Sequence, residues 1–172
     1  MMIQRLLLGV LLVLAVSCVP RPPPPPVDDS FADRVIVHKA ERRMELYNNN
    51  QLIRAYSIRL GKSPVGHKMQ EGDQRTPEGE YILDWRNPNS RFHKSIHISY
   101  PNARDRAFAE AMGVNPGSHI MIHGLPNQVT SPTLIEEYMR IDWTDGCIAV
   151  SNEEMDEIWE LVADGTPILI LP

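Results

Sequence analysis

Apolar residues change their period along this chain. In its first half they come in short runs of strand length, rich in β-branched side chains. Val35-Ile36-Val37 is one. Met44-Glu45-Leu46-Tyr47 and Leu52-Ile53-Arg54-Ala55-Tyr56 flank the turn cluster Asn48-Asn49-Asn50, which predicts a hairpin. Gly61 to Gly79 is rich in Gly, Pro and charge and predicts a long loop. Glu80 to Trp85 and Ser95 to Ser99 predict further strands, and Ile120-Met121-Ile122 fits a buried one. Ile168 to Leu171 reads as a closing strand.

Helical signals come later. Asn102 can cap a segment running to Met112, with Gly113 as its stop. Ser131-Pro132 puts a cap residue before a proline at the first helical position. Ser151 and Glu154 form a capping-box pattern. Met155, Ile158, Trp159 and Val162 then follow helical spacing, and Gly165 ends the run. The expected fold is mainly β with a few helices, an α+β domain. Hydrophobic residues are 42% of the chain and aromatics only 6%, so its core should be mainly aliphatic.

The amino terminus follows a different pattern. Met1 to Arg5 carries one positive charge, Leu6 to Val16 is apolar, and Ser17 and Cys18 follow. That is the layout of a signal peptide over residues 1–17, too short to span a bilayer comfortably. Ala15-Val16-Ser17-Cys18 also resembles a bacterial lipoprotein signal, which implies a lipid anchor on Cys18 and an outer-membrane location facing the periplasm. Residues 18–32 read as a linker. Its five consecutive prolines, Pro22 to Pro26, favour an extended polyproline spacer. The folded domain is expected over 33–172. Net charge is −5, and −6 without residues 1–17, so nothing marks a nucleic-acid partner or a polybasic membrane surface.

The chain has two cysteines, and export accounts for Cys18. Cys147 is left without a partner in an oxidising compartment, which singles it out. A free cysteine is often only a small buried apolar residue. Context favours more here. Thr144-Asp145-Gly146-Cys147 is a turn leading into Ile148-Ala149-Val150, which sets the thiol at a strand's rim. Gly146 permits close approach of a substrate, and the N–H groups of Gly146 and Cys147 can face an oxyanion. A nearby histidine can take the thiol proton and give a thiolate–imidazolium pair. Of six histidines, His123 ends a strand beside Gly124, and His119 lies four residues earlier, a spacing that puts both on one strand face.

Ile122-His123-Gly124, followed by Asp142-Trp143-Thr144-Asp145-Gly146-Cys147-Ile148-Ala149-Val150, resembles the L,D-transpeptidase (YkuD-type) family, whose enzymes remodel bacterial peptidoglycan. Further resemblance lies in Gly61-x-x-Pro64-x-Gly66-His67-Lys68, Thr76-Pro77-Glu78-Gly79-x-Tyr81 and Gly165-Thr166-Pro167-Ile168. It implies a β-sandwich catalytic domain. It also implies that Cys147 attacks the diaminopimelate carbonyl of a tetrapeptide stem and releases the terminal D-Ala. His123 would be the base and then the acid. The thioester would pass to a stem amine, a lipoprotein lysine, a D-amino acid or water. No cofactor and no metal enters this scheme.

Two positions depart from the family pattern and mark a subgroup. Asp145 stands where His is common, and Ala149 where Arg or Asn is usual. The spacer between His123 and Thr144 is also longer. Asp145 can orient a neighbour or serve the turn. Arg140, Arg75, Tyr100, His97, His119, Thr144 and Asp145 are candidates for touching substrate. Two rival readings remain: a zinc enzyme using His97, His119, His123 and Cys147, and a wall-binding module without catalysis. The first lacks the helical H-E-x-x-H pattern.

Overall fold

A computed structural model describes residues 31–172, so the signal, Cys18 and the five-proline run lie outside the described residues. The architecture is mainly β. Eight strands form one sheet, ordered β3-β2-β1-β8-β4-β5-β6-β7. In chain order they are β1 (Arg34–His38), β2 (Arg43–Asn48), β3 (Gln51–Ser57), β4 (Gly79–Ser90), β5 (His93–Ile98), β6 (Met121–His123), β7 (Ile148–Ala149) and β8 (Thr166–Leu171). Three helices are present among the described residues: α1 (Ala103–Met112), α2 (Pro132–Tyr138) and α3 (Asn152–Leu161).

The predicted hairpin is β2–β3, which turns at Asn49 and Asn50, both at positive φ. Asparagine tolerates that region because its short side chain bonds locally. β8 runs parallel to β1 and antiparallel to β4, so the last strand joins two meanders into one sheet. β6 and β7 are also parallel, and such a pair requires a crossover, here the segment carrying α2.

The sheet curls until its ends meet. Arg59, just past β3, exchanges two backbone hydrogen bonds of 2.8 Å with Ala149 on β7. Thr144 N–H donates to Leu60 O at 3.1 Å, and Lys62 N–H donates to Thr144 O at 3.0 Å. Inside the curl lie Val35, Val37, Leu46, Ile96, Ile122 and Ile168, with Met155 and Ile158 of α3 packed on them. This core is aliphatic, as composition requires, apart from Tyr56, Tyr81 and Tyr100.

The caps sit where the sequence places them. Asn102 and Ser151 both form complete capping boxes, Ser151 with Glu154, and Ser131 caps α2. α3 ends earlier than its apolar spacing suggests. Val162 is already extended, and its backbone donates to Ile158 O. Val162 bridges to Ala32, so tertiary pairing takes this residue from the helix. β4 runs to Ser90, past Trp85, because the β4–β5 pairing continues through two irregularities.

The long loop 61–78 contains no helix or named strand, yet it is firmly tied. Lys39, only 2% exposed, donates to Gly66 O (2.7 Å), Thr76 O (2.9 Å) and Glu78 Oε1 (2.8 Å). Asp73 accepts from Lys68 Nζ and from the N–H groups of Met69, Gln70 and Arg75. A buried ammonium is tolerated when all its protons find acceptors, and removing it strands those acceptors. Lys39→Met should lower unfolding stability by about 3 kcal/mol, measured by urea denaturation. A cost near zero would show that this tie is not needed.

Candidate functional site

The β6–β7 register builds the site. Ile122 pairs with Ile148, and His123 with Ala149. Cys147 precedes β7 and continues that register opposite Met121, so side-chain alternation sends Cys147 and His123 from the same face as diagonal neighbours. Both line one hollow of about 630 Å³. Met121 N–H donates to Cys147 Sγ at 3.4 Å, and the thiol lies 3.6 Å from His119 O.

The turn before Cys147 is held from within. Thr144 Oγ1 donates to Cys147 O at 2.8 Å and accepts the Gly146 N–H at 3.1 Å. Gly146 sits at φ 130°, and a Cβ there would come within 2.6 Å of Arg75 O. Glycine is therefore required both by conformation and by the loop lying against it. These bonds correct two expectations. Gly146 N–H is already engaged by Thr144, so it does not face the cleft as a free oxyanion donor. Thr144 borders the hollow but is buried, and its hydroxyl is committed to the turn.

His123 is 3% exposed. Its Nδ1 lies 2.7 Å from Gly124 O, which can only accept. The ring proton is therefore on Nδ1, and Nε2 is left as the acceptor. The imidazole packs against Phe92, at a ring distance of 4.6 Å, and Trp143, at 5.5 Å, which themselves meet at 5.9 Å. Phe92 hangs from the β4–β5 connection, between Ser90 and His93. Asn127 ties that tip down by accepting from His93 N–H and donating to Ser90 O. Gly124 fits closely too: a Cβ there would meet Asn152 Oδ1 at 2.6 Å, and that oxygen already accepts the Leu125 N–H.

This packing sets the charge states. Burial pulls His123 down to about 4, against a smaller upward pull from Gly124 O. Burial pushes the Cys147 thiol up to about 11, Met121 N–H pulls it down, Asp145 pushes it up and Lys68 pulls it down. Both shifts favour a neutral thiol and a neutral imidazole in the resting pair. Burial of the imidazole disfavours its charged form until a substrate supplies compensating dipoles.

The other candidates separate. His119, Asp145 and Cys147 border both this hollow and a second one of about 460 Å³, which Lys68, Glu71 and Gln74 help to line. His119 reaches the site by an unexpected route. It lies outside β6 at φ 60°, so strand alternation does not place it beside His123. Asp145 is exposed, and its Oδ1 meets Lys62 Nζ at 3.1 Å and Gln74 Nε2 at 3.3 Å, so it links the rim to the long loop. Tyr100 is 2% exposed, donates to Pro116 O and lines neither hollow; it is a core residue. Arg140 is exposed after α2 and also lines neither. Arg75 contributes its carbonyl beneath Gly146. His97 binds Asp84 at 2.7 Å and stacks on Trp85. Among the described residues no three His, Cys, Asp or Glu side chains converge in a way that could hold a metal ion. Sequence reasoning gave no role to Phe92, Trp85 or Trp143, whose places along the hollow carry no local signal.

Residues 32–170 match the family model described as the L,D-transpeptidase catalytic domain (YkuD). The chain belongs to the L,D-transpeptidase (YkuD) family. It is 34% identical over 133 residues to "Putative L,D-transpeptidase YafK" of Escherichia coli (strain K12), a match covering 73% of this chain and 45% of that protein. Its fold resembles the helical cell shape determining protein Pgp2 from Campylobacter jejuni, with TM-score 0.58 and 25% identity over 83% of this chain and 48% of that one. Bd1075 of Bdellovibrio bacteriovorus gives TM-score 0.57 and 26% identity over 82% and 48%. The chain thus spans about half the length of these relatives.

The buried histidine of this L,D-transpeptidase domain has a measurable consequence. An unfolded imidazole titrates near 6.5 and the folded one near 4, so between these values the unfolded state alone binds the proton. Stability falls as pH drops from about 6.5 to about 4, by about 3 kcal/mol from this group. Denaturation of wild type and His123→Gln across that range should show the shallower pH slope in the variant. Equal slopes would contradict a neutral buried imidazole.

Proposed function

We propose that this domain is a peptidoglycan-remodelling L,D-transpeptidase with Cys147 as nucleophile and His123 as base. One observation carries the reading: the Cys147 thiol and a His123 imidazole with Nε2 free to accept lie on one face and open on one cleft. Nε2 takes the thiol proton as sulfur attacks the carbonyl of the third residue of a tetrapeptide stem. The Cys147 N–H faces the oxyanion, in place of the engaged Gly146 N–H. The carbon–nitrogen bond to D-Ala breaks, and the proton on Nε2 goes to the departing amine. A thioester remains. An amine then attacks it, His123 removes the amine proton and returns it to the sulfur.

Neutral resting groups suit this order of events, since charge develops only when substrate has closed the cleft. The acceptor is a stem amine, with a lipoprotein lysine, a D-amino acid or water as the alternatives. The likeness to a protein described as determining helical cell shape supports a role in wall shape. The amino-terminal sequence supports delivery to the periplasm with a tether at Cys18.

Purified tetrapeptide muropeptides test the reading. Wild type should consume them, and Cys147→Ala should retain less than about one part in a thousand of that rate, as loss of a nucleophile does. Mass spectrometry of the products identifies the acceptor: crosslinks, exchanged D-amino acids or shortened stems. Undiminished turnover by Cys147→Ala would refute the mechanism, and no turnover by wild type would favour a binding module.

A further inference from the structure

The cleft extends well beyond the reacting groups. At its far end β4 carries Trp85, 40% exposed, followed by Asn87 and Asn89, and all three line the same hollow as Cys147. The register shift between Leu83 and Arg86 makes this possible. Tyr81 and Leu83 point into the core by ordinary alternation, and then Asp84 and Trp85 are both exposed. Irregularities of this kind re-aim side chains beside active sites.

Trp85 is braced. Its ring stacks on His97 at 4.7 Å and 17°, and Asp84 Oδ1 holds His97 Nδ1 at 2.7 Å. His97 also meets His119 edge-on at 6.4 Å, and His119 O lies against the Cys147 thiol. The indole is therefore a fixed platform two ring contacts from the residue that touches the nucleophile. Leaving so much indole in water forgoes a large burial gain, which a ligand can recover. Beside it stand side-chain amides, which donate and accept without charge. The charges on the platform's own strand are already paired, Asp84 with His97 and Arg86 with Asp164, while Arg91 on the hairpin tip and Asp145 also border the hollow. A flat apolar face edged by neutral amides suits a pyranose ring, whose C–H face stacks while its hydroxyl and acetamido groups bond at the edge.

We propose that Trp85, Asn87 and Asn89 form a subsite for an N-acetylated sugar of the glycan strand that carries the stem peptide. This rests on the reading that Cys147 acylates such stems. Reach is consistent with it. Three residues separate the sugar from the scissile bond, three extended residues span roughly 10 Å, and Trp85 and Cys147 line one and the same hollow.

The test has a binding arm and a kinetic arm, both with the full chain. In the first, Cys147→Ala protein is titrated with a peptide-free tetramer of N-acetylglucosamine and followed by NMR. The Trp85 indole and the Asn87 and Asn89 carboxamide signals should move saturably. Trp85→Ala should weaken binding at least tenfold, while Trp85→Tyr should keep most of it and so controls for folding. In the second, wild type should use a disaccharide tetrapeptide with at least tenfold higher kcat/KM than the sugar-free tetrapeptide. Trp85→Ala should shrink that ratio below about twofold, through KM. Still Trp85 signals together with equal kcat/KM for both substrates would overturn the subsite while leaving the transpeptidase reading intact. Saturable sugar binding with no turnover of either substrate would support the subsite and count against the catalytic reading.

Discussion

Closure of the curled sheet is the constraint on which the site depends. The backbone of Arg59 pairs with that of Ala149, and Leu60 and Lys62 take hold of Thr144. Ile58 and Leu60 are fully buried at this seam, so the pairing is backed by apolar burial as well as hydrogen bonds. Without it β7 would be a two-residue edge strand with little to hold it. With it, the turn at 144–147 is fixed between the segment following β3 and the start of β6. The seam is also secured by Arg42, whose guanidinium binds the Asp142 carboxylate while Asp142 Oδ1 accepts the Leu60 N–H.

A rigid turn matters because the side chains around Cys147 and His123 have little freedom of their own. Thr144 spends its hydroxyl on the turn, and Gly146 is pressed against the Arg75 carbonyl. His123 has one nitrogen fixed on Gly124 O and its ring faced by Phe92 and Trp143. The same packing that orients the imidazole also dries it, so position and proton affinity have one cause. Asp145 occupies the rim of the cleft, exposed and linked to Lys62 and Gln74, where it ties the turn before Cys147 to the long loop.

The two sides of Cys147 differ in chemistry. Toward the 61–78 loop the lining is polar, with Lys68, Glu71 and Gln74. Toward the β4–β5 hairpin it is aromatic and amide-rich, with Trp85, Phe92 and Trp143. His119 stands between them at positive φ, a conformation uncommon for residues other than glycine and often found where function constrains the backbone. The family match establishes the domain and its fold. The asymmetry of the cleft belongs to this chain's own residues.

Much was legible in the sequence because it is written in local rules. The β2–β3 hairpin follows from its asparagines, and the three helix starts follow from Asn102, Ser131 and Ser151, since turn and cap preferences act over a few residues. Cys147, His123 and the turn at 144–147 could be singled out as candidates from residue type and spacing. What depended on distant partners was not. The end of α3 was decided by the Val162–Ala32 bridge, the place of β8 by two strands far away in the chain, and the burial of Tyr100 by the ring packing around it. Gly146 looked free to donate until Thr144 was seen to hold its N–H. The sequence by itself determined which groups could react, because chemistry resides in side-chain types. Only the tertiary structure decided their proton states and surroundings, because burial and hydrogen bonding are set by residues brought together when the sheet closes.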